Sequence, residues 1–223
     1  MEARLKEISL NEALLCLGHR AGSVPRIVKD AIARACARIR ETVVPRAHWR
    51  AFPMSGGRLT GCAFQPAGSD MEALLTGCEA AILLGVTLGA EADRMLTMAQ
   101  ATDMAYAAVL DACLSAAVEG AADDFCAQLA QKYAEDGLFL TDRFSPGYGD
   151  FPLAQQGELI AALDAQRRMG LTVSPFGLLA PMKSITAVIG VSKEEKPRRA
   201  RGCAHCNRFE NCPYRKENKT CGK

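Results

Sequence analysis

The chain has 223 residues, 49% of them hydrophobic and 23% charged, with a formal net charge of +2. That composition supports one domain or two small ones around a real core, and it excludes a chain disordered by composition. The charge is uneven: residues 193–223 hold ten Lys/Arg against four Asp/Glu, while the rest is net acidic, which argues against a body built to coat nucleic acid.

The longest apolar run, Ala80 to Ala90, has 11 residues, short of the roughly 20 that a spanning helix needs. The opening MEARLKEISL mixes acids and bases and has no apolar signal core, so a cytoplasmic protein is expected. Its ten cysteines are then expected as thiols or metal ligands, not disulfides. Cys16, Cys36, Cys62, Cys78, Cys113 and Cys126 are scattered and read as small core residues.

In chain order, Arg4 to Leu10 reads as a short strand or a lead-in, and Glu12 to Leu17 as a helix stopped by Gly18. Ser23-Val24-Pro25 predicts a helix start with a hydroxyl N-cap. Ile27, Val28, Ile32, Ala35, Cys36 and Ile39 then recur at helical spacing, leaving Arg34, Arg38 and Arg40 for a solvated face. Residues 42–65 predict two strands joined at Gly56-Gly57. Ser69-x-x-Glu72 matches a capping box. Glu79 to Leu88 has the length and apolarity of a buried central strand, with Gly85 marking a close backbone approach.

Residues 103–135 carry the clearest helical signal. Tyr106, Val109, Leu110, Cys113, Leu114, Ala117, Val118 and Ala121 mark one apolar face, continued by Phe125, Leu129 and Tyr133 and stopped at Gly137. A second helix is predicted from Gly157 to Met169, and short strands at Leu171–Val173 and Ile185–Val191. Strands and long helices without regular βαβ alternation give an α+β body over residues 1–192. A charged linker, 193–200, leads to a Cys-rich tail, 201–223.

Thr141 to Gln155 has two prolines, two glycines, three aromatics and no period. Ordered irregular loops of this length often carry function. Ser145-Pro146-Gly147-Tyr148 suits a type II turn, with positive φ at the glycine. Such a reversal can bring Arg143, a planar fork for a carboxylate, and Tyr148, a π face for a cation, to one groove. The alternative is an ordinary surface turn.

Arg143-x-x-x-Gly147-Tyr148, followed by Pro152 and a helix, resembles the reactivation domain of cobalamin-dependent methionine synthase. GVTLGAEADRM (85–95), DACLSAAVEGAADDF (111–125) and the stretch from Gly170 through Pro181-Met182-Lys183-Ser184 to Gly190 resemble further segments of that family, in its order. The resemblance implies a curved antiparallel sheet flanked by helices, S-adenosylmethionine binding, and docking on a cobalamin-carrying methionine synthase. There, cob(II)alamin is reduced by a donor such as flavodoxin or ferredoxin and methylated. It also implies that Arg143 holds the methionine carboxylate, Gly147 supplies the backbone conformation and Tyr148 lies near the methyl-transfer region. Glu119 and Asp123 are acids on a packed helix, open as partners for the ligand's amino group or as solvated residues. No catalytic acid–base pair is expected, because the cofactors carry the hard chemistry.

Cys203-x2-Cys206-x5-Cys212-x8-Cys221 puts four soft ligands within a short basic segment. Four thiolates suit zinc or an iron–sulfur cluster, and His205 can replace one of them, most readily Cys221. The alternative is a tail with incidental thiols. Two other functions stay open: an activator of another corrinoid methyltransferase, and a zinc-knuckle module that presents basic residues to nucleic acid or an acidic partner.

Overall fold

The computed structural model describes residues 2–5, 7–19 and 23–197. The four tail cysteines lie outside the described residues.

Helix α1 spans Leu10–Cys16, and the Ser9 side chain accepts from the Glu12 N–H at its start. The described residues before it form no strand, although Ile8 is buried. Helix α2 spans Arg26–Thr42 and is N-capped by Pro25 without a side-chain bond, so Ser23 is not the cap. Strand β1, Arg46–Ser55, turns through Gly56-Gly57 into β2, Arg58–Leu59. Both glycines have positive φ, 57° and 76°, as a tight hairpin turn requires.

Helix α3, Ser69–Leu75, is N-capped by Gly68 and not by a Ser69 capping box. Strand β3, Ala80–Thr87, is followed by α4, Ala90–Thr102, a helix that the sequence pattern did not announce. Helix α5, Met104–Ala134, begins with Asp103 accepting from the Tyr106 N–H. Then come β4, Phe139–Leu140, helices α6, Gln156–Ala162, and α7, Ala165–Met169, and strands β5, Thr172–Val173, β6, Leu179–Ala180, and β7, Ser184–Ser192. The single helix expected over 157–169 is two, because Asp164 adopts a left-handed conformation at φ 54°.

The main sheet has the order β2-β1-β3-β7-β4, and every pairing is antiparallel. β3 is central, as its apolar run predicts. Alternation along it feeds two cores. Ile82, Leu84 and Val86 join Ile189 and Val191 under α1, α2, α4 and α5. Ala81 and Leu83 join Val188 under α3, α6 and α7. A Cβ on Gly85 would lie 3.1 Å from the Met169 sulfur, which is the close approach the sequence marked.

Helix α5 has the length and hydropathy of a membrane span. It is nevertheless the central helix of the first core, packed on α1, α2 and α4 and on the sheet. The helical signal over residues 103–135 matches its extent, Met104–Ala134. Of the six body cysteines, Cys113 is buried, Cys16 is exposed and the other four are partly buried, so Cys16 does not fit the reading as a core residue.

Candidate functional site

The loop after β4 is positioned by pairing with β7. Leu140 sits opposite Val191, and Phe144 forms a bridge to Val188. Three residues, 141–143, therefore face two, 189–190, which is a β-bulge. Thr141 anchors it: its N–H donates to the Gly190 carbonyl at 3.0 Å, and its Oγ1 accepts from the Gly190 N–H at 2.8 Å. The extra residue reverses the alternation of side chains. Phe144 turns into the core under α6 and stacks on Phe151 at 6.2 Å. Arg143 turns the other way, toward α5.

There the Arg143 guanidinium pairs with Glu119 through one nitrogen and with Asp123 through the other. Its charge also acts on the Cys126 thiol, lowering a pKa that burial raises by more. Glu119, Asp123 and Cys126 occupy positions i, i+4 and i+7 of α5, one face of the helix. The arginine side chain is 22% exposed, whereas Glu119 and Asp123 are 46% and 59% exposed. Burial pushes the guanidinium toward neutrality. The Asp123 hydrogen bond and the charges of Asp123 and Glu119 more than reverse this, so its pKa is raised and it stays cationic.

The same face of α5 continues one turn at a time toward the N-terminus. Lys183 Nζ, on a side chain only 12% exposed, donates to Ser115 Oγ at 2.9 Å and pairs with Asp111 at 2.7 Å. Asp111, Ser115, Glu119 and Asp123 thus form a polar seam at spacing four along α5. Cys16 of α1 lies within the field of Glu119, Lys183 and Asp111, and burial first, then Glu119, raises its thiol pKa. Sequence reasoning assigned no role to Lys183, Asp111 or Ser115. The four-residue spacing of polar groups was the signal that could have found them.

Beyond Phe144 the chain makes the expected type II turn. The Tyr148 N–H donates to the Ser145 carbonyl at 3.2 Å, and Gly147 has φ 90°. Tyr148 is 63% exposed. The guanidinium and the phenol therefore belong to two parts of one loop separated by a buried anchor, Phe144. Leu153 lies against Gly147 and also against Gly177 of the β5–β6 turn, where Phe176 and Leu178 are exposed. The turn beside Tyr148 is thus continuous with an apolar surface.

The loop is held on its far side by Asp150, whose carboxylate caps α3. One oxygen accepts from the Ser69 N–H at 2.6 Å and the Ser69 hydroxyl at 2.5 Å, and the other from the Asp70 N–H at 3.0 Å. A cleft of about 550 Å3 lies in the second core layer, lined by Arg50, Phe52, Cys62, Phe64 and Glu158 among others, and does not include Arg143, Gly147 or Tyr148. Among the described residues no cluster of His, Cys, Asp and Glu is arranged to hold a metal ion.

No family model matches the chain, and no curated protein matches it. Solved structures do. A crystal structure of the MetH reactivation domain bound to AdoHcy superposes with a TM-score of 0.60 at 14% identity, over 83% of this chain and 74% of that one. The shared features are a mixed helical and antiparallel-sheet body in which long helices flank the strands. The chain therefore has the fold of the MetH reactivation domain.

Proposed function

We propose that the chain is an S-adenosylmethionine-binding reactivation module for a partner corrinoid protein, with a cobalamin-dependent methionine synthase as the client, in the cytoplasm. The observation that carries this reading is the Arg143 site, a largely buried guanidinium held by two half-exposed carboxylates in the loop that also presents Tyr148. The solved counterpart of the fold holds AdoHcy.

The donor set fits an amino acid that carries a sulfonium. Arg143 offers a two-pronged grip on a carboxylate. Glu119 and Asp123 hold that fork in the free protein, and their exposure leaves them able to swing aside. An incoming carboxylate takes their place, and the displaced acids face the ligand's ammonium group. Tyr148 offers a π face to the sulfonium. Gly147 keeps the turn open by a backbone conformation that side-chain-bearing residues rarely adopt. The ligand supplies an activated methyl group. The protein's part is to orient it and to exclude water, a proximity effect. The apolar surface of Leu153, Phe176 and Leu178 beside Tyr148 is where a corrin-carrying partner would seat.

The tail adds a second element to the proposal. Cys203, Cys206, Cys212 and Cys221 would hold zinc or an iron–sulfur cluster. The latter would serve as a relay from a flavodoxin- or ferredoxin-type donor.

Calorimetric titration with S-adenosylmethionine tests the site. Wild type should bind, and Arg143→Ala should bind at least about ten-fold more weakly, the loss of one charged hydrogen-bonded contact. Equal affinities would remove Arg143 from the site. Formation of methylcobalamin on a cob(II)alamin-loaded partner, with reductant and S-adenosylmethionine, tests the activity.

A further inference from the structure

The cleft of about 550 Å3 in the second core layer is separate from the Arg143 site and has the size of a small-molecule site. Hydrogen bonds fix its walls. Gln65 closes the loop after β2: its Oε1 accepts from the Leu59 N–H at 2.9 Å, and its Nε2 donates to the Leu59 and Cys62 carbonyls at 2.8 and 3.1 Å. Gln155 ties that loop to the start of α6, accepting from the Ala67 N–H at 2.8 Å and donating to the Gln65 carbonyl at 2.9 Å. Buried Phe52 and Phe64 lie at the base, and the small side chains of Ala63 and Ala161 keep the cleft open.

Two opposite charges line this cleft without meeting. Arg50 of β1 is held on two sides. Its Nη1 donates to the Ala162 carbonyl at 2.6 Å, in the last turn of α6, and its guanidinium carbon lies 4.8 Å from the centre of the Phe52 ring. Glu158 sits one turn earlier on the same helix, about 6 Å back along the axis. Among the described residues neither side chain forms an ion pair, and the Glu158 carboxylate accepts no hydrogen bond. Because Ala162 and Phe52 pin Arg50, it does not swing across to Glu158, and the gap between the charges stays open.

We infer that this cleft binds a free α-amino acid with an apolar side chain. Such a molecule carries a carboxylate and an ammonium group on one carbon, so a single headgroup satisfies both charges. The carboxylate accepts from the guanidinium N–H groups that Ala162 leaves free, and the ammonium donates to Glu158. The side chain lies against Phe64, Ala63 and Ala161, where removing apolar surface from water adds affinity. Arg50 is ordered before the ligand arrives, so little side-chain freedom is lost on binding. A plain carboxylic acid or a plain amine answers one charge and leaves the other unpaired, which selects for the zwitterion. The Arg143 site also suits an amino-acid headgroup, so the test must separate the two.

L-phenylalanine is titrated into the full-length chain by calorimetry, and its contacts are mapped from backbone amide shifts in NMR spectra. Wild type should bind at millimolar concentration or below, with shifts concentrated at residues 61–64 and 158–162. Arg143→Ala should bind equally well. Glu158→Gln leaves the Arg50–Ala162 bond in place and should bind at least about ten-fold more weakly. N-acetyl-L-phenylalanine and L-phenylalaninamide, each short of one charge, should lose a similar factor. Ala161→Trp fills the cleft from an exposed position of α6 and should block binding with both charges intact. The inference falls if L-phenylalanine shows no saturable binding at millimolar concentration, or if Glu158→Gln or Ala161→Trp binds it as wild type does. It also falls if Arg143→Ala abolishes binding, which would put the amino acid in the other site.

Discussion

Asp150, in the loop that carries the candidate site, caps the helix that starts at Ser69, so a carboxylate 81 residues away performs the task that a local hydroxyl usually performs. The Ser69 hydroxyl bond, followed by the Asp70 and Ser69 backbone donors, holds the Asp150 carboxyl below the usual carboxylate range. A depressed folded-state pKa contributes stability that is present above the unfolded value, near 3.9, and is lost as pH falls through the folded value. Asp150→Asn should therefore lower the Tm at neutral pH, and the gap from wild type should close at pH values below the ordinary carboxylate range. Melting curves across pH check this. A gap that persists in strong acid would mean that the charge is not what caps the helix.

Gly190 of β7 admits no side chain. A Cβ there would lie 2.6 Å from the Cys78 sulfur and 3.0 Å from Thr141 Cγ2. Gly190→Ala should cost about 1–3 kcal/mol, the usual scale of overpacking. Cys78→Ala should recover part of that loss, since it removes the nearest clash. Urea denaturation of both single variants and the double variant measures the coupling.

Lys183 and Asp111 predict an asymmetry. The lysine side chain is 12% exposed and the aspartate 49%. Lys183→Met keeps the apolar stem and frees a carboxylate that water can reach, so it should cost about 1 kcal/mol or less. Asp111→Ala strands a mostly enclosed ammonium, with Ser115 as its remaining hydrogen-bond partner, and should cost about 2 kcal/mol. Equal costs in chemical denaturation would show that the seam is solvated throughout.

The tail is tested by metal analysis. Anaerobic purification should give stoichiometric iron and sulfide with a visible chromophore, or stoichiometric zinc without one, and Cys203→Ser with Cys206→Ser should abolish either. Stoichiometric zinc in colourless protein would end the electron-relay reading.

Local chemistry explains what was legible in the sequence. The long α5 stripe, the Gly56-Gly57 hairpin and the turn at Ser145–Tyr148 each depend on residues close in sequence, so periodicity and positive-φ glycines reveal them. The Asp150 cap joins segments 80 residues apart, and no window of sequence contains both. The break at Asp164 was hidden because an aspartate is an ordinary helix-surface residue, and only its pairing with Arg167 and Arg168 accompanies the left-handed turn. Arg143, Glu119 and Asp123 were each recognisable as candidates, but their pairing was not, because the direction Arg143 points is set by strand register.

That dependence on register makes the site separable from the fold. Three residues opposite two is a parity switch: if strict alternation ran on from Thr141 through Asp142, Arg143 would share the side of Thr141 and project away from α5. Loss of a single codon, such as the one for Asp142, would remove the bulge yet leave Arg143 next to the Phe144 anchor and so on the α5 side, whereas a one-residue slip of Phe144 along β7 would send the guanidinium to the wrong layer. In a lineage that carries this architecture, ligand recognition would therefore tolerate a one-residue indel in the bulge but not a change in the register of the Phe144 anchor.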